Sequence, residues 1–338
     1  MNEKKVLSLV VPVFNETEVI NAFYNRVKRV IDSIETMTYE LVFVDDGSSD
    51  NSYSKLVDLA NNDENIKVIK FSRNFGHQVA ITAGIDIAKG DAVVVIDSDL
   101  QDPPELIRNF IDKWEQGCDV VYGVRKKRKG ESKSKIITAS LFYRILKTLI
   151  KIDIPLDTGD FRLMSRRVVE HFRNLKEKDR FVRGLTSWLG FKQIGVFYDR
   201  DERYAGETKY PYSKMIKFAF DGITSFSSIP LKMASWLGYF TSFLAFLYAC
   251  SVFIQKLLGY TVQGWATIMV GMLFLGGVQL ICLGIIGEYI GRIFNETKQR
   301  PLYVVDHIYN APSSLSINGN SRTAGTLQNS PLVTLDRP

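Results

Sequence analysis

Two aspartates stand one residue apart directly after a strongly apolar run, in the segment VVVIDSDLQDPP at 93–104. If residues 93–96 form a buried strand, Asp97 and Asp99 project to the same side, because residues two apart along a strand share a face. Two carboxylates so close repel each other unless a cation lies between them. Mg²⁺ commonly takes one or two carboxylates together with substrate phosphates. The spacing suggests a metal–diphosphate site, although an Asp-x-Asp pair alone is common by chance.

Two other apolar runs also end in polar residues. The first ends in VPVFNE, which places Glu16 just beyond it, and the second ends in VDDGSSD, which contains Asp45 and Asp46. Helix capping accounts for residues 48–50 and for Asp102, but it leaves Asp45 and Asp46 unexplained. Three strand ends therefore direct acidic or amide groups to one edge of the predicted sheet. Such an edge suits a nucleotide's base and ribose together with a metal-bound diphosphate.

Strand-like and helix-like segments alternate along the N-terminal part of the chain. The predicted strands are 6–13, 41–44, 66–71, 92–96 and 120–122. The predicted helices are 16–34, 50–60, 78–88 and 104–114. This alternation indicates βαβ units and an α/β domain with a Rossmann-like, mostly parallel sheet. No G-x-G-x-x-G follows the first strand, which argues against a dinucleotide-dependent dehydrogenase.

Two long stretches near the C-terminus, 235–254 and 264–287, carry no charged residue. Each matches the roughly 20 apolar residues that a membrane helix needs. A buried core helix is the alternative for either stretch alone. Two such stretches separated by nine residues favour a hairpin through the bilayer, and aromatic residues near their ends are typical of membrane interfaces.

Basic residues flank the predicted hairpin on one side of the membrane. They are Lys214, Lys217 and Lys232 before it and Arg292, Lys298 and Arg300 after it, against Lys256 alone in the connecting loop. The positive-inside rule therefore places both termini in the cytoplasm. Residues 6–14 make a poor secretory signal, because Pro12 interrupts them and no small-residue cleavage site follows. Three scattered cysteines without metal-ligand spacing indicate a reducing compartment.

The segment RKKRKGESKSK, at 125–135, contains seven basic residues and one acid. A solvated loop and a nucleic-acid patch are two interpretations. For a protein anchored by a hairpin, however, the nearest polyanion is the lipid surface, where each basic residue gains about 1 kcal/mol. We therefore expect contact with membrane lipids or a lipid phosphate, and no nucleic-acid partner. His77, in RNFGHQ, is interpreted as a polar loop residue without a catalytic role.

These patterns divide the chain into five parts. They are a cytoplasmic catalytic α/β domain at 1–211, juxtamembrane amphipathic helices at 212–233, two transmembrane helices within 234–290 (about 235–254 and 264–288), a cytoplasmic C-terminal segment at 291–310 and a disordered tail at 311–338. Apolar residues at mainly helical spacings among lysines in 212–236 suit an interfacial helix, with core packing under the sheet as the alternative. The tail is rich in Ser, Asn, Thr and Gly, a composition typical of disorder.

Taken in chain order, the polar motifs resemble those of family 2 glycosyltransferases with the GT-A fold. They are VPVFNE, VDDGSSD, DSDLQDPP, TGDFRLMSRR at 158–167 and RYAGETKYP at 203–211. Five motifs in order are far more specific than any one of them. More narrowly, the chain resembles polyprenyl-phosphate glycosyltransferases, which include bactoprenol glucosyltransferases and dolichyl-phosphate mannose synthases. The resemblance runs from about Leu9 to Pro301 and includes the two spans and GEYIGRI at 287–293. TGDFRLMSRR and the two-helix tail bring it closest to the glucosyltransferase branch.

The resemblance implies roles for particular residues. Those implied in nucleotide-sugar binding are Pro12, Phe14, Glu16, one of Asp45 or Asp46, Asp97, Ser98, Asp99 and Gln101. The implied ligands of Mg²⁺ or Mn²⁺ are Asp97, Asp99 and Gln101, and the implied phosphate or acceptor contacts are Arg125, Arg203 and Lys209. Asp160 falls where the family's proposed base lies, and Asp99 joins it as a catalytic residue. Phe14 stands where many relatives have tyrosine, so a hydroxyl contact is lost.

The implied reaction is transfer of glucose from UDP-glucose to undecaprenyl phosphate, with inversion at the anomeric carbon. It would take place at the cytoplasmic face of a bacterial inner membrane and supply a lipid-linked sugar for modification of a cell-surface glycan such as O-antigen. Transfer of N-acetylglucosamine, mannose or aminoarabinose stays open, as does a catalytically silent membrane scaffold. The chain lacks a Q-x-x-R-W motif and has too few spans to thread a polymer, which argues against processive synthesis. We also expect a homo-oligomer.

The acceptor's own chemistry bears on Asp160. A phosphate monoester has its second pKa near about 6, so the acceptor is largely ionised at neutral pH. Little proton is left for a base to remove. We therefore expect Asp160 to position substrate or basic side chains.

Overall fold

The computed structural model describes residues 4–126, 158–199, 228–258 and 264–310. Its strands are β1 (Lys5–Val13), β2 (Met37–Asp45), β3 (Ile66–Phe71), β4 (Ala92–Val95), β5 (Val120–Arg125), β6 (Thr158–Ser165), β7 (Gln193–Tyr198) and β8 (Val305–Tyr309). Its helices are α1 (Ile20–Asp32), α2 (Ser52–Asn62), α3 (His77–Ile87), α4 (Leu106–Glu115), α5 (Arg166–Arg173), α6 (Val182–Trp188), α7 (Ile229–Leu257) and α8 (Trp265–Thr297).

The described strands form one sheet in the order β7-β5-β6-β4-β1-β2-β3-β8. β1 pairs in parallel with β2 and β4, β2 with β3, and β5 with β7. β6 lies antiparallel between β4 and β5, and β8 is antiparallel to β3 at the other edge. The α/β architecture and the mostly parallel sheet predicted from the sequence are confirmed.

Helices cover both faces of this sheet, which explains the nearly continuous apolar runs of the central strands. Leu9 and Val11 of β1 pack in a cluster with residues of α1 and α4, whereas Val10 packs in a second cluster with residues of α3, α5 and α6. Successive side chains of a strand point to opposite faces, so a strand covered on both sides needs apolar residues throughout. The core fixes the strand ends that carry the polar motifs.

The five strands and four helices predicted in the N-terminal part are all present, with shifted ends. β3 has the predicted bounds, while β2 begins four residues earlier than predicted and β5 continues to Arg125. β6, β7 and β8 were not predicted as strands. β6 and β8 mix charged and apolar residues, and β7 contains a glycine and begins with a glutamine. The pairing partners of all three are distant in the chain, so neighbours decide their conformation more than local propensity does.

The helices α7 and α8 are long and apolar enough to cross a membrane. Almost none of their apolar windows is buried inside the protein, 6% for one and 0% for the other, which is the opposite of a core helix. α7 begins at Ile229, inside the range predicted for juxtamembrane helices, and α8 continues to Thr297, beyond the predicted boundary at 288. Backbone hydrogen bonding does not stop where an apolar run stops, so both helices extend past their charge-free stretches.

After α8 the chain returns to the α/β domain. β8 adds to the β3 edge of the sheet. Just before it, the Tyr303 ring stacks on Phe71 with centroids 5.1 Å apart, and its hydroxyl donates to Asp86 Oδ2 at 3.1 Å. The segment expected only to be cytoplasmic therefore forms part of the folded domain, which ties the C-terminal end of the hairpin to the sheet.

Candidate active site

Asp97 and Asp99 lie just beyond the carboxyl end of β4, in the tight turn that leads toward α4. Leu100 has φ 59°, a left-handed conformation uncommon for a non-glycine residue. This turn brings the backbone N–H of Gln101 back to Asp99 Oδ1 at 3.1 Å. Ser98 and Asp99 are buried, whereas Asp97 and Gln101 are half-buried. The structure therefore places the predicted Asp-x-Asp group at the carboxyl end of β4, the edge at which open α/β sheets commonly bind ligands.

The antiparallel pairing of β6 with β4 brings Asp160 to the same edge. Val95 pairs with Arg162, so continuing this register two residues further sets Asp97 opposite Asp160. His77, the first residue of α3, lies between them: its Nε2 is 3.4 Å from Asp97 Oδ1 and 3.4 Å from Asp160 Oδ2. A histidine that the sequence assigned to a loop without a role therefore links two predicted site residues.

Asp160 is buried and held by two further side chains. Arg183 of α6 donates through Nε to Asp160 Oδ1 at 2.9 Å, and Gln78 donates through Nε2 to Asp160 Oδ2 at 2.8 Å. Burial alone would raise the pKa of Asp160, but the Arg183 guanidinium and His77 outweigh it and hold this pKa well below the usual range. An acid with so low a pKa stays ionised and is a weak acceptor of protons.

The pKa values of Asp97 and His77, which lie beside Asp160, are raised. Burial raises the pKa of Asp97 to about 6, against the effect of His77 and with the neighbouring carboxylates adding to the rise. Burial would lower the pKa of His77, but Asp160 and Asp97 raise it to about 9. The carboxylates of Asp97 and Asp160 therefore stabilise a positive charge on the His77 imidazole that lies between them.

The two aspartates at the end of β2 have different surroundings. Asp46 accepts hydrogen bonds from the backbone N–H groups of Phe75 (2.7 Å) and Gly76 (3.0 Å), which fixes the loop before α3. Asp45 is fully buried; its Oδ1 accepts from Ser48 N at 3.4 Å, and its Oδ2 is buried without a hydrogen-bond partner among the described residues. The sequence left open which of the pair would contact a nucleotide; of the two, Asp45 is the one with a carboxylate oxygen that has no partner among the described residues.

Gly47 follows these aspartates at a point where the chain has no room for a side chain. Its φ is 69°, and a Cβ atom there would lie 2.4 Å from the carbonyl carbon of Arg73. Serines 48 and 49, predicted to cap a helix, instead hydrogen-bond to Asn15 in the loop after β1. These contacts join the β1 and β2 strand ends into one surface.

The residues predicted at the β1 end differ in exposure. Pro12 is buried within the strand, Phe14 is 46% exposed, and Glu16 is half-buried with its backbone N–H donating to Ser52 Oγ at 2.9 Å. Phe14 therefore presents an aromatic face to solvent close to Asp45, since Val13 pairs with Asp45 in the sheet.

Arg125 ends β5 on the other side of β6. Its Nε donates to Tyr198 Oη at 3.2 Å, and its Nη2 lies 3.6 Å from Asp102 Oδ2. A Cβ atom on Gly159 would lie 2.6 Å from Arg125 Nη2, so the guanidinium passes directly over the residue before Asp160. Asp102, expected to cap α4, instead accepts a hydrogen bond from Tyr198, and Glu105 holds the N-cap position.

The structure therefore brings together Asp97, Asp99, Asp160 and Arg125 around one end of the sheet. Arg203, Lys209 and nearly all of the basic segment 125–135 lie outside the described residues. Sequence reasoning missed His77, Gln78 and Arg183 as neighbours of Asp160. The only signal for them was the motif RNFGHQ, whose position at a helix start beside a strand end could have placed His77 at this edge.

The carboxylates of Asp97 and Asp99 can be compared with the ligands that the divalent cation implied by the resemblance would need. Asp97 Oδ1 is buried and makes no hydrogen bond among the described residues, and Asp99 lies two residues away. No group of three or more His, Cys, Asp or Glu side chains in the described part of the chain could hold a metal ion. Two carboxylates nevertheless fit Mg²⁺ or Mn²⁺ when substrate phosphates complete the coordination.

The chain is similar to known proteins over most of its length. Residues 8–173 match the family described as "Glycosyl transferase family 2", and residues 229–293 match the "GtrB C-terminal hairpin". A Bacillus subtilis protein named "Uncharacterized glycosyltransferase YkcC" is 55% identical over 303 residues, covering 89% of this chain and 94% of the relative. The bactoprenol glucosyl transferase of Shigella phage SfV is 44% identical over 300 residues, covering 88% and 97%.

Two further proteins are also similar. A prophage bactoprenol glucosyl transferase homolog of Escherichia coli K12 is 42% identical over 303 residues, covering 89% of this chain and 99% of the relative. The solved structure of glucosyl-3-phosphoglycerate synthase from Mycobacterium tuberculosis is 20% identical, with a TM-score of 0.44, and covers 66% of this chain and 79% of that one. From the family match and the nearly full-length relatives, the chain belongs to glycosyltransferase family 2 and is a glycosyltransferase with a C-terminal hairpin.

Proposed function

We propose that this protein transfers glucose from UDP-glucose to undecaprenyl phosphate at the cytoplasmic face of a bacterial inner membrane, with inversion at the anomeric carbon. The single observation that carries the proposal is identity of 42–44%, over at least 97% of their length, to relatives named as bactoprenol glucosyl transferases. Two apolar helices that could cross a membrane support a lipid acceptor. The polar edge of the sheet supports a nucleotide donor.

The donor would lie across the carboxyl ends of β1, β2 and β4. Asp45, with its unpaired buried oxygen, is the proposed contact for the nucleotide base, and Pro12, Phe14 and Glu16 would line the same pocket. Asp97 and Asp99, with Gln101, would hold Mg²⁺ or Mn²⁺, which when bound offsets charge on the leaving diphosphate. Ser98, between the two carboxylates, would lie close to the donor phosphates.

The acceptor phosphate would approach from the side of Arg125. This guanidinium lies beside Gly159 and therefore beside Asp160, and Arg203 and Lys209 are proposed to join it. Basic groups at this point would draw the lipid phosphate toward the anomeric carbon for in-line attack. The phosphate is its own nucleophile, because it is largely ionised at neutral pH.

Asp160 is proposed to position these groups. Its carboxylate is occupied by Arg183 and Gln78 and neighbours His77, so it fixes three side chains around the reacting centre. The homo-oligomeric state expected from the sequence stays a prediction.

The test is to incubate the purified full-length protein and undecaprenyl phosphate with a panel of nucleotide sugars, with and without EDTA. We expect one lipid-linked product, from UDP-glucose, which disappears with EDTA and returns with Mg²⁺ or Mn²⁺. If the product forms from another nucleotide sugar, that sugar and not glucose is the one transferred. Absence of product from every donor in a folded protein would favour a silent scaffold.

The hairpin also predicts a topology in which the α7–α8 connection is on the far side of the membrane. In a variant lacking Cys118, Cys250 and Cys282, a cysteine introduced at Leu258 should react with an impermeant maleimide added to intact cells. A cysteine at Lys298 should react only after the cells are opened. The reverse pattern would move the catalytic domain away from the cytoplasmic pool of nucleotide sugar.

A further inference from the structure

The end of the second hairpin helix contacts the segment that leads into the active site. This segment, residues 174–181, joins α5 to α6 and is called the α5–α6 connection below. Arg292 of α8 donates through Nη1 to Asp179 Oδ2 at 2.6 Å. The backbone N–H of Lys178 donates to Glu296 Oε1 at 2.6 Å. Two charge-assisted hydrogen bonds therefore join the connection to the hairpin.

Arg292 is largely buried and has a second acidic neighbour, so its contact with Asp179 is stronger than an exposed ion pair. Ion pairs between exposed side chains contribute little to stability, but the Arg292 side chain is only 16% exposed, against 52% for Asp179. Glu288, one turn earlier on α8, lies 3.3 Å from Arg292 Nη2 and fixes the guanidinium from the other side. Arg292 is therefore held in one position from which it can restrain the connection.

The connection passes directly into α6, whose first two residues reach Asp160. The backbone N–H of Val182 donates to Gln78 Oε1 at 2.9 Å, and the same Gln78 donates to Asp160. Arg183 contacts Asp160 Oδ1 and also donates through Nη1 to the Thr158 carbonyl at 2.7 Å. Only three residues separate Asp179 from Arg183, so a shift of the connection moves Arg183 with it.

We propose that Arg292, together with Glu296, is a positioning residue for glycosyl transfer: it restrains the α5–α6 connection and so holds Arg183 against Asp160. The cytoplasmic end of the hairpin is then part of the support of the active site as well as an anchor. This inference rests on the proposed role of Asp160 in transfer.

A charge exchange tests the contact in the full-length protein reconstituted in lipid nanodiscs. Arg292→Asp should lower kcat roughly tenfold, because small displacements of positioning groups are costly, with little change in KM for the donor. Adding Asp179→Arg should restore most of the lost rate. The control is Lys298→Ala, which removes a positive charge from the same helix end, where the ammonium lies over the Phe294 ring; its kcat should match that of the unmodified protein.

A second measurement separates positioning from general stability. In an Arg183→Lys background, Arg292→Asp should lower kcat by less than about twofold, because residues that act through one another are not additive. Multiplicative losses, or an unchanged kcat in Arg292→Asp, would overturn the inference. If Arg292→Asp does not fold, Asp179→Asn at its half-exposed position gives the same test.

The outcome for Asp160 distinguishes the two proposals. Loss of transfer in Asp160→Asn without loss in Arg292→Asp overturns only the inference about the hairpin. Full activity in Asp160→Asn overturns the proposed role of Asp160 and the inference with it.

Discussion

The Asp99→Asn variant should lose glycosyl transfer by about 10²–10³-fold and remain folded. The substitution removes one negative charge from the proposed cation site, whose electrostatic stabilisation of the leaving diphosphate would be lost. The turn should survive, because an asparagine Oδ1 can still accept the hydrogen bond that Gln101 N now donates to Asp99. Initial rates with saturating Mg²⁺ or Mn²⁺ test the first expectation, and thermal unfolding tests the second.

Two comparisons make this result specific to the site. Asp58→Asn makes the same chemical change at an exposed position on α2, and its rate should equal that of the unmodified protein. Calorimetric titration of Mn²⁺ in the presence of UDP should show weaker binding for Asp99→Asn than for Asp58→Asn. Unchanged activity and Mn²⁺ affinity in a folded Asp99→Asn protein would remove the metal assignment.

The part of the site that the sequence could predict is the part formed by consecutive residues. Asp97 and Asp99 follow an apolar run that is buried on both faces of the sheet, so their location at a strand end follows from local pattern alone. The same holds for Asp45 and Asp46. The sequence could not show that Asp45 and Asp46 have different surroundings. The backbone N–H groups of Phe75 and Gly76, which donate to Asp46, come from a loop some 30 residues further along the chain.

The remaining part depends on contacts between distant segments. β6 carries Asp160 and the buried Arg162, which donates to Thr186 on α6. A segment with two charged residues is not predicted as a buried strand, because burying a charge is costly. His77 reaches Asp160 only because α3 packs over the sheet, and Arg183 reaches it only because α6 follows the connection beside the hairpin. Such partners become visible once the antiparallel register of β4 and β6 is known.

The Asp160→Asn variant should lose about 10²-fold in kcat, and the loss should stay constant from about pH 6 to 9. Asparagine offers one acceptor where Asp160 now accepts from both Arg183 and Gln78, and its amide would face the Gln78 donor. Gln78 would therefore be displaced, and Arg183 would lose the negative charge that now holds it. A carboxylate whose pKa is held well below the usual range by Arg183 and His77 has little capacity as a base, so raising the pH should not replace it.

Two neighbouring groups, His77 and Asp97, titrate differently without Asp160 and must be controlled before the pH profile can be interpreted. Asp160 and Asp97 together raise the pKa of His77 to about 9 against the effect of burial, so removing Asp160 changes the titration of that imidazole within the measured range. Rates are therefore compared in a His77→Gln background. The ratio of kcat is taken well above the Asp97 pKa of about 6, because Asp160 also contributes to that pKa. A constant ratio of kcat supports a positioning role. Recovery of the full rate at the alkaline end would identify Asp160 as the base that activates the acceptor, because hydroxide would then replace the missing base. We expect no recovery, because an acceptor already ionised above its own pKa of about 6 gains nothing from further hydroxide.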